Sequence, residues 1–171
     1  MKALVSIVMG STSDWPVMQK AAELLEKFRI PFEVHALSAH RTPEKVVEFI
    51  EQAVNNGVKV IIAGAGGAAH LPGVVAAYTT LPVIGVPCRS SISIEGWDSI
   101  LSILQMPPGI PVATVGLDNA QNAAILAIQI LSLTDESIAE ELRQYKKNLK
   151  TKVVKANEEL KKINDFKYKV N

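Results

Sequence analysis

A histidine and an arginine stand next to each other in the segment Ser-Ala-His-Arg-Thr-Pro, residues 38–43, directly after a predicted β-strand. Imidazole gains and loses a proton near neutral pH, so His40 is a candidate general acid and base. Arg41 is one of four arginines in the chain, and its planar guanidinium fits a phosphate or a carboxylate. A structural ion pair for Arg41 and a structural role for His40 are the alternatives that the sequence leaves open.

A second polar segment, Gly-Ser-Thr-Ser-Asp at residues 10–14, follows the first predicted strand and leads directly into a helix. Glycine allows a ligand to approach the backbone, hydroxyls donate hydrogen bonds, and the amino end of a helix attracts an anion. Asp14 would repel an anion and is better suited to the hydroxyls of a ribose. The same residues could equally form a helix N-cap, because Ser and Asp are common there.

The glycine-rich segment 64–73 follows the third predicted strand and contains a second histidine outside the strands, His70. The spacing of Gly64, Gly66 and Ala69 is similar to a dinucleotide-binding fingerprint. That interpretation fails, because the segment does not follow the first strand and no acidic residue lies about twenty positions further on. The small residues instead predict open space for a flat ligand.

The single cysteine, Cys88, excludes an internal disulfide and a multi-cysteine zinc site. The neighbouring Arg89 could lower the pKa of the thiol, but a small buried apolar residue is the favoured interpretation. His35 lies within a predicted strand and the other two histidines lack an acidic setting, so we expect no metal site. The loop at 105–109 could close over a ligand or simply end a helix.

Alternating apolar runs and amphipathic stretches must position these segments. The first run is apolar at almost every position, as in a parallel sheet with both faces buried. Thr42 is predicted to cap the second helix, which ends at Gly57. Strands are predicted at 3–9, 32–37, 58–63, 82–86 and 111–115. Helices are predicted at 14–28, 43–56, 97–105 and 119–132, together with a short helix that ends near residue 79. The helix at 119–132 is expected to be buried on nearly all sides. The pattern predicts a flavodoxin-like doubly wound parallel sheet in three α/β/α layers, with ligands beyond the carboxyl ends of its strands.

The composition of the 171-residue chain is that of an ordinary globular protein, with 48% hydrophobic and 20% charged residues. Disorder and collagen-like repeats are therefore excluded. The formal net charge of +1 gives no reason to expect a nucleic-acid or membrane-surface partner. Met1 leads directly into a strand-like run, and no apolar stretch reaches about 18 residues. We therefore expect a cytoplasmic protein with neither a signal peptide nor a membrane span.

The end of the chain differs in charge, since residues 135–171 hold ten Lys and Arg residues against seven Asp and Glu residues. Apolar residues recur there every three or four positions, which predicts one long helix over 135–164 with Thr134 as its cap. Such a helix would be roughly 45 Å long, more than one small domain can cover. We therefore expect a single α/β catalytic domain, 1–134, and a helical extension that packs on a neighbouring subunit. A basic arm for nucleic acid is the less favoured alternative.

Six motifs occur in a definite order along about residues 3–133: Gly10–Asp14, Ser38–Pro43, Ala63–Gly73, Gly85–Pro87, Asp98-Ser99 with Ser102–Pro107, and Asn122–Ala124. In this order they closely resemble the class I N5-carboxyaminoimidazole ribonucleotide mutases of bacterial purine biosynthesis, the PurE family. The two motifs that contain histidine are the most specific. The resemblance implies a flavodoxin-like fold, an octamer, a small-molecule substrate, and neither a metal nor an organic cofactor.

The resemblance also implies a reaction. A carboxylate moves from the exocyclic nitrogen N5 to the ring carbon C4 of an aminoimidazole ribonucleotide, and CO2 is released and recaptured in a closed pocket. His40 matches the family's general acid and base, and segment 65–70 would form the chamber for CO2. The implied substrate contacts are Ser11, Ser13 and Arg41 for the phosphate, Asp14 for the ribose, and Ser38, Ala39, Gly66, Gly67, Ala68, His70 and Leu71 elsewhere.

Two features depart from the family pattern, namely residues 92–97 and the pair Cys88-Arg89. Both departures bear on which residues would close the site over the substrate and do not bear on the reaction. Class II relatives carboxylate the aminoimidazole directly and are the alternative within enzymes, but the sequence Ala-Ala-His-Leu-Pro-Gly at 68–73 favours class I. A flavin-binding electron-transfer module is the alternative of another class, and little aromatic surface lies near the first loop to hold a flavin.

Overall fold

A five-stranded parallel sheet forms the centre of the structure, a computed structural model that describes residues 2–163 and 165–170. The strands lie in the order β2-β1-β3-β4-β5, where β1 is Val5–Met9, β2 Phe32–Ala36, β3 Val60–Gly66, β4 Val83–Cys88 and β5 Ala113–Thr114. A short 3-10 turn, Thr12–Asp14, follows β1. The helices are α1 (Trp15–Lys27), α2 (Pro43–Asn56), α3 (Leu71–Ala77), α4 (Trp97–Leu104), α5 (Ala120–Leu131) and α6 (Glu136–Lys161). The predicted flavodoxin-like sheet with helices on both faces is confirmed.

The sheet is buried on both faces because its central strands are apolar along their length. Every residue of β1 and β4 is buried. β1 lies in register between β2 and β3, so that Ile7 pairs with Val34 on one side and Ile62 on the other. Residues of α2, α3 and α4, among them Phe49 and Ile103, form one core cluster with β1 and β3. Helices α1 and α5 contact each other, α1 also contacts β1, α5 contacts β3 and β4, and the two helices complete the third layer.

The second helix shows how local sequence shapes the loop that carries His40. α2 begins at Pro43 and ends at Asn56, and the next residue, Gly57, has a φ of +90° in the left-handed region that glycine adopts readily. Thr42 occupies the predicted N-cap position, but its side chain makes no capping hydrogen bond. Its hydroxyl instead donates to the carbonyl oxygen of Ser38 over 3.1 Å and accepts from the Ser38 N–H over 3.2 Å. The two bonds close the loop on which His40 lies.

Two predicted elements differ from the structure. Strand β5 is shorter than the predicted 111–115; Pro111 has no N–H to donate to a ladder, and β5 pairs with β4 alone. Helix α5 is not buried on all sides as expected. Gln121 and Asn122 are exposed, and the fully buried positions form one stripe: Ala120, Ala123, Ala124, Ala127, Ile128 and Leu131.

The chain divides into two compact units, of which the first ends at Leu131 and the second begins at Ser132. The sheet and helices α1 to α5 belong to the first unit, and α6 belongs to the second. No helix in the part of the chain that the structure describes combines the length and the apolar character needed to cross a membrane.

Helix α6 is capped by Asp135, whose side-chain oxygen accepts from the N–H groups of Ser137 over 2.9 Å and Ile138 over 3.2 Å. The predicted cap at Thr134 is therefore wrong by one residue, because the carboxylate one position later reaches both free N–H groups. The predicted end at Asn164 lies outside the described residues. Four large apolar residues of the helix are exposed, namely Leu149, Val153, Val154 and Leu160, and so is Ile163 just after it.

Candidate active site

A cavity of about 400 Å³ lies at the carboxyl edge of the sheet, lined by segments that follow β1, β2, β3 and β4. The segments meet there because parallel strands end at one edge and the next helices begin just beyond them. The lining residues are Gly10, Ser11, Ser13, Asp14, Ser38, Ala39, His40, Arg41, Ala65, Gly66, Ala68, His70, Leu71, Ser90, Ser91 and Ile92. Every residue predicted for the site lines this cavity except Gly67.

Two imidazole rings face each other at the cavity. His40 Nε2 and His70 Nδ1 are 2.8 Å apart, and the ring planes are nearly perpendicular, with centroids 4.9 Å apart. His40 lies between β2 and α2, whereas His70 stands at the start of α3, so the strand order β2-β1-β3 brings them together. One nitrogen must donate and the other accept. Both side chains are exposed, and a proton can therefore pass between this pair and a ligand.

The segment after β1 caps a helical turn and also forms part of the cavity wall. The N-cap interpretation and the interpretation as a ligand-facing loop therefore both apply to it. The Ser11 hydroxyl accepts from the Ser13 N–H over 3.2 Å and from the Ser13 hydroxyl over 2.9 Å. The carboxylate of Asp14 accepts from the Ser11 N–H over 3.2 Å, which completes a capping box. Asp14 is only 6% exposed, and its burial raises the pKa of the carboxyl above the usual value, partly offset by that hydrogen bond.

Asp14→Asn is expected to raise the free energy of unfolding at neutral pH. A carboxyl whose pKa is raised by folding destabilises the protein when it is ionised, and this cost disappears as both states become protonated. The gain should therefore be full above the raised pKa and should vanish as pH falls toward the ordinary value of 3.8. Asparagine keeps an oxygen for the Ser11 N–H. Urea unfolding between pH 8 and pH 3.8 measures the gain.

The matched control is Asp165→Asn, which makes the same chemical change at an exposed aspartate and should leave unfolding unchanged at every pH. A gain for Asp14→Asn that is constant across the pH range would show that burial of the charge is not its cause.

Arg41 is held in place by a neutral partner. Its backbone N–H and its Nε donate to the Ser38 hydroxyl over 3.2 Å and 3.3 Å. Among the described residues no carboxylate forms an ion pair with Arg41. The alternative of a structural ion pair therefore has no support, and the exposed guanidinium is available to an anion at the cavity.

The glycine-rich segment after β3 forms the wall next to the histidines. Gly66 pairs with Cys88 of β4, and a Cβ atom on Gly66 would lie 2.9 Å from the carbonyl oxygen of Cys88. Gly67 is buried and does not line the cavity. Its φ of +62° turns the chain toward Ala68 and His70, so its role is to shape the loop.

The loop after β4 supplies two lining residues that the sequence did not single out, Ser90 and Ser91, and also Ile92, which the sequence marked only as the start of the unusual segment 92–97. They follow a strand adjacent to β3 in the sheet, a relationship that local sequence does not reveal. Gly10 and Ala65 also line the cavity, although only the motifs around them were recognised. The predicted closing loop at 105–109 does not contribute to the lining.

Cys88 is fully buried, and its thiol donates a weak hydrogen bond to the carbonyl oxygen of Val86 over 3.5 Å. Burial, with the nearby charges of Asp14 and Asp118, strongly raises the pKa of the thiol. The guanidinium of Arg89 pairs with Glu95 at 3.6 Å instead of activating the sulfur. The favoured interpretation of Cys88 as a small buried residue agrees with the structure. The described residues contain no group of three or more His, Cys, Asp or Glu side chains able to hold a metal ion.

The strand order 2-1-3-4-5 and a polar cavity at the carboxyl edge define a flavodoxin-like α/β protein with a site for a small ligand. The sequence model described as AIR carboxylase matches residues 4–152, and the chain belongs to this family.

Curated relatives share the sequence over most of both chains. The N5-carboxyaminoimidazole ribonucleotide mutase of Pyrococcus horikoshii is 58% identical over 152 residues, which cover 89% of this chain and 85% of the relative. The mutase of the same name from Bacillus subtilis is 52% identical, covering 94% and 99%. Among solved structures, Treponema denticola PurE has a TM-score of 0.84 at 33% identity, covering 94% of this chain and 99% of that one.

Proposed function

We propose that the protein is an N5-carboxyaminoimidazole ribonucleotide mutase, which moves a carboxylate from N5 to C4 of its substrate in purine biosynthesis. The observation that carries this conclusion is an exposed imidazole, His40, paired with His70 at the cavity of a chain 58% identical to a curated mutase. Moving the carboxylate requires one proton to leave C4 and one to reach N5. A single imidazole can carry both.

His40 is the proton carrier of this proposal. In its protonated form it gives a proton to N5 as the N–C bond breaks, and the bonding electrons stay on nitrogen while CO2 leaves. C4 then attacks CO2, the new C–C bond forms, and neutral His40 takes the proton from C4. The residue returns to its starting state in each cycle. His70, 2.8 Å away, holds the ring of His40 in one orientation.

The chamber for CO2 is assigned to the small residues after β3, including Ala65, Gly66 and Ala68. Side chains of this size leave room beside the histidines without presenting a competing nucleophile. Keeping bulk water away from CO2 between the two steps favours recapture over loss. Leu71 adds an apolar surface at the same wall.

The ribonucleotide is positioned by the first two loops in this proposal. Ser11, Ser13 and Arg41 contact the phosphate, because they supply two hydroxyls and an unpaired cation at the cavity. Asp14 accepts hydrogen bonds from the ribose hydroxyls, and its buried carboxylate is fixed by the capping box. Ser38 and Ala39 line the cavity directly before His40 and contact the substrate there.

The deciding experiment follows the purified substrate directly, with and without added bicarbonate. A mutase converts carboxyaminoimidazole ribonucleotide at the same rate in both conditions, because the carboxylate is carried by the substrate. Aminoimidazole ribonucleotide itself should react slowly. A requirement for bicarbonate, with direct carboxylation of aminoimidazole ribonucleotide, would assign the class II reaction instead.

We further propose that the cytoplasmic enzyme is a homo-octamer in which residues 135–171 pack on a neighbouring copy. The exposed apolar residues Leu149, Val153 and Leu160 on α6 support this proposal. An exposed apolar stripe of this kind is typical of a surface that is buried against another protein chain. Light scattering should give a mass eight times that of the 18.5 kDa chain. Val153→Glu should lower that mass, whereas Lys152→Glu, one position away on the exposed helix, should not. A monomeric wild-type protein would contradict the proposal.

A further inference from the structure

The loop after β4 contains a serine whose hydroxyl has no structural explanation. Within the described residues, Ser90 Oγ is buried and lacks a hydrogen-bond partner. Buried hydroxyls are almost always paired, because leaving one unsatisfied destabilises a fold. An unpaired hydroxyl at a cavity is therefore expected to serve a ligand.

The position of Ser90 places it at the chamber wall. Its hydroxyl lies against the glycine-rich segment: Cβ atoms built on Gly66 and Gly67 would lie 3.4 Å and 3.8 Å from Ser90 Oγ. Ser90 also lines the same cavity as His40 and His70. The pairing of Gly66 with Cys88, two residues before Ser90, fixes this arrangement through the sheet.

The glycine-rich part of that wall, Ala65, Gly66 and Ala68, has no side chain that can donate a hydrogen bond. The contacts proposed for the phosphate and the ribose lie in the first two loops and do not use Ser90. CO2 and a carboxylate both present oxygen lone pairs to a hydroxyl donor.

We propose that Ser90 is a further catalytic residue, whose hydroxyl donates a hydrogen bond to an oxygen of the migrating carboxylate and then of CO2. The bond keeps CO2 next to the substrate ring between cleavage at N5 and attack by C4. This inference rests on the proposed mutase function. It adds no proton transfer, since His40 carries both protons.

Ser90→Ala tests the role. Losing a hydrogen bond to a charged group lowers kcat by about tenfold to a hundredfold, with KM expected within twofold because the phosphate and ribose contacts remain. CO2 should escape more often, so product formed with 13C-bicarbonate should carry more label than with wild type. The melting temperature should not fall, because the lost hydroxyl has no partner in the protein.

The matched control is Ser102→Ala, which removes a half-buried hydroxyl from α4 outside the cavity and should leave kcat and labelling unchanged. Unchanged kcat and labelling in Ser90→Ala, an effect confined to KM, or a lower melting temperature would each overturn the proposal. Wild-type enzyme that fails to isomerise the substrate without bicarbonate would instead contradict the proposed function itself.

Discussion

Replacing His40 with asparagine is expected to lower kcat by about 10³-fold, because general acid–base catalysis typically contributes between about 10² and 10⁴. Asparagine keeps a polar side chain of similar length but cannot carry a proton between N5 and C4. Both half-reactions should fail together, so neither product nor free aminoimidazole ribonucleotide should accumulate. Substrate affinity, measured by calorimetry, should change little, since Ser11, Ser13 and Arg41 remain.

A second histidine provides the matched control. His35 lies on β2, does not line the cavity and packs against Phe49 in a tilted arrangement with ring centroids 4.8 Å apart. His35→Asn makes the same chemical change outside the site and should leave kcat within about twofold, even if stability falls. Near-normal turnover by His40→Asn, with the protein folded, would remove His40 as the proton carrier and leave His70 to be tested.

The fold could be predicted because each strand carries its own signal. β1 is apolar except at Ser6 and β3 is apolar throughout, and α2 begins at Pro43 and stops before Gly57 as expected. Errors occur where two residues compete for one role. Asp135 caps α6 instead of Thr134. The Thr42 hydroxyl forms hydrogen bonds with the backbone of Ser38 and therefore does not cap α2.

Most of the residues that line the candidate site could be named from the sequence, but the contacts between them could not. Its residues follow strand ends, which the sequence marks, and a resemblance identified the histidine motifs. The contact between His40 and His70 joins residues 30 positions apart and depends on the order β2-β1-β3. Ser90 depends in the same way on the pairing of β3 with β4. Long-range pairing sets these distances, and local sequence does not encode it.

Gly66→Ala is expected to lower both the stability and the turnover of the protein, because β3 and β4 are paired closely at Gly66. The new Cβ would lie 2.9 Å from the Cys88 carbonyl oxygen and 3.0 Å from the Ser90 Cβ. The carbonyl cannot rotate away, because it belongs to the paired strand and accepts a hydrogen bond from the Ser99 hydroxyl over 3.0 Å. Overpacking of this kind costs about 1–3 kcal/mol.

The same substitution should also reduce turnover, because relieving the contact displaces Ser90 relative to Gly66, and both residues line the cavity. Urea unfolding and kcat measure the two effects, which should appear together. Gly116→Ala is the matched control, since a Cβ there meets only the Cβ of Asn119 at an ordinary 3.9 Å. If Gly66→Ala is as stable as Gly116→Ala and keeps full turnover, the close approach of β4 to Gly66 does not shape the active site.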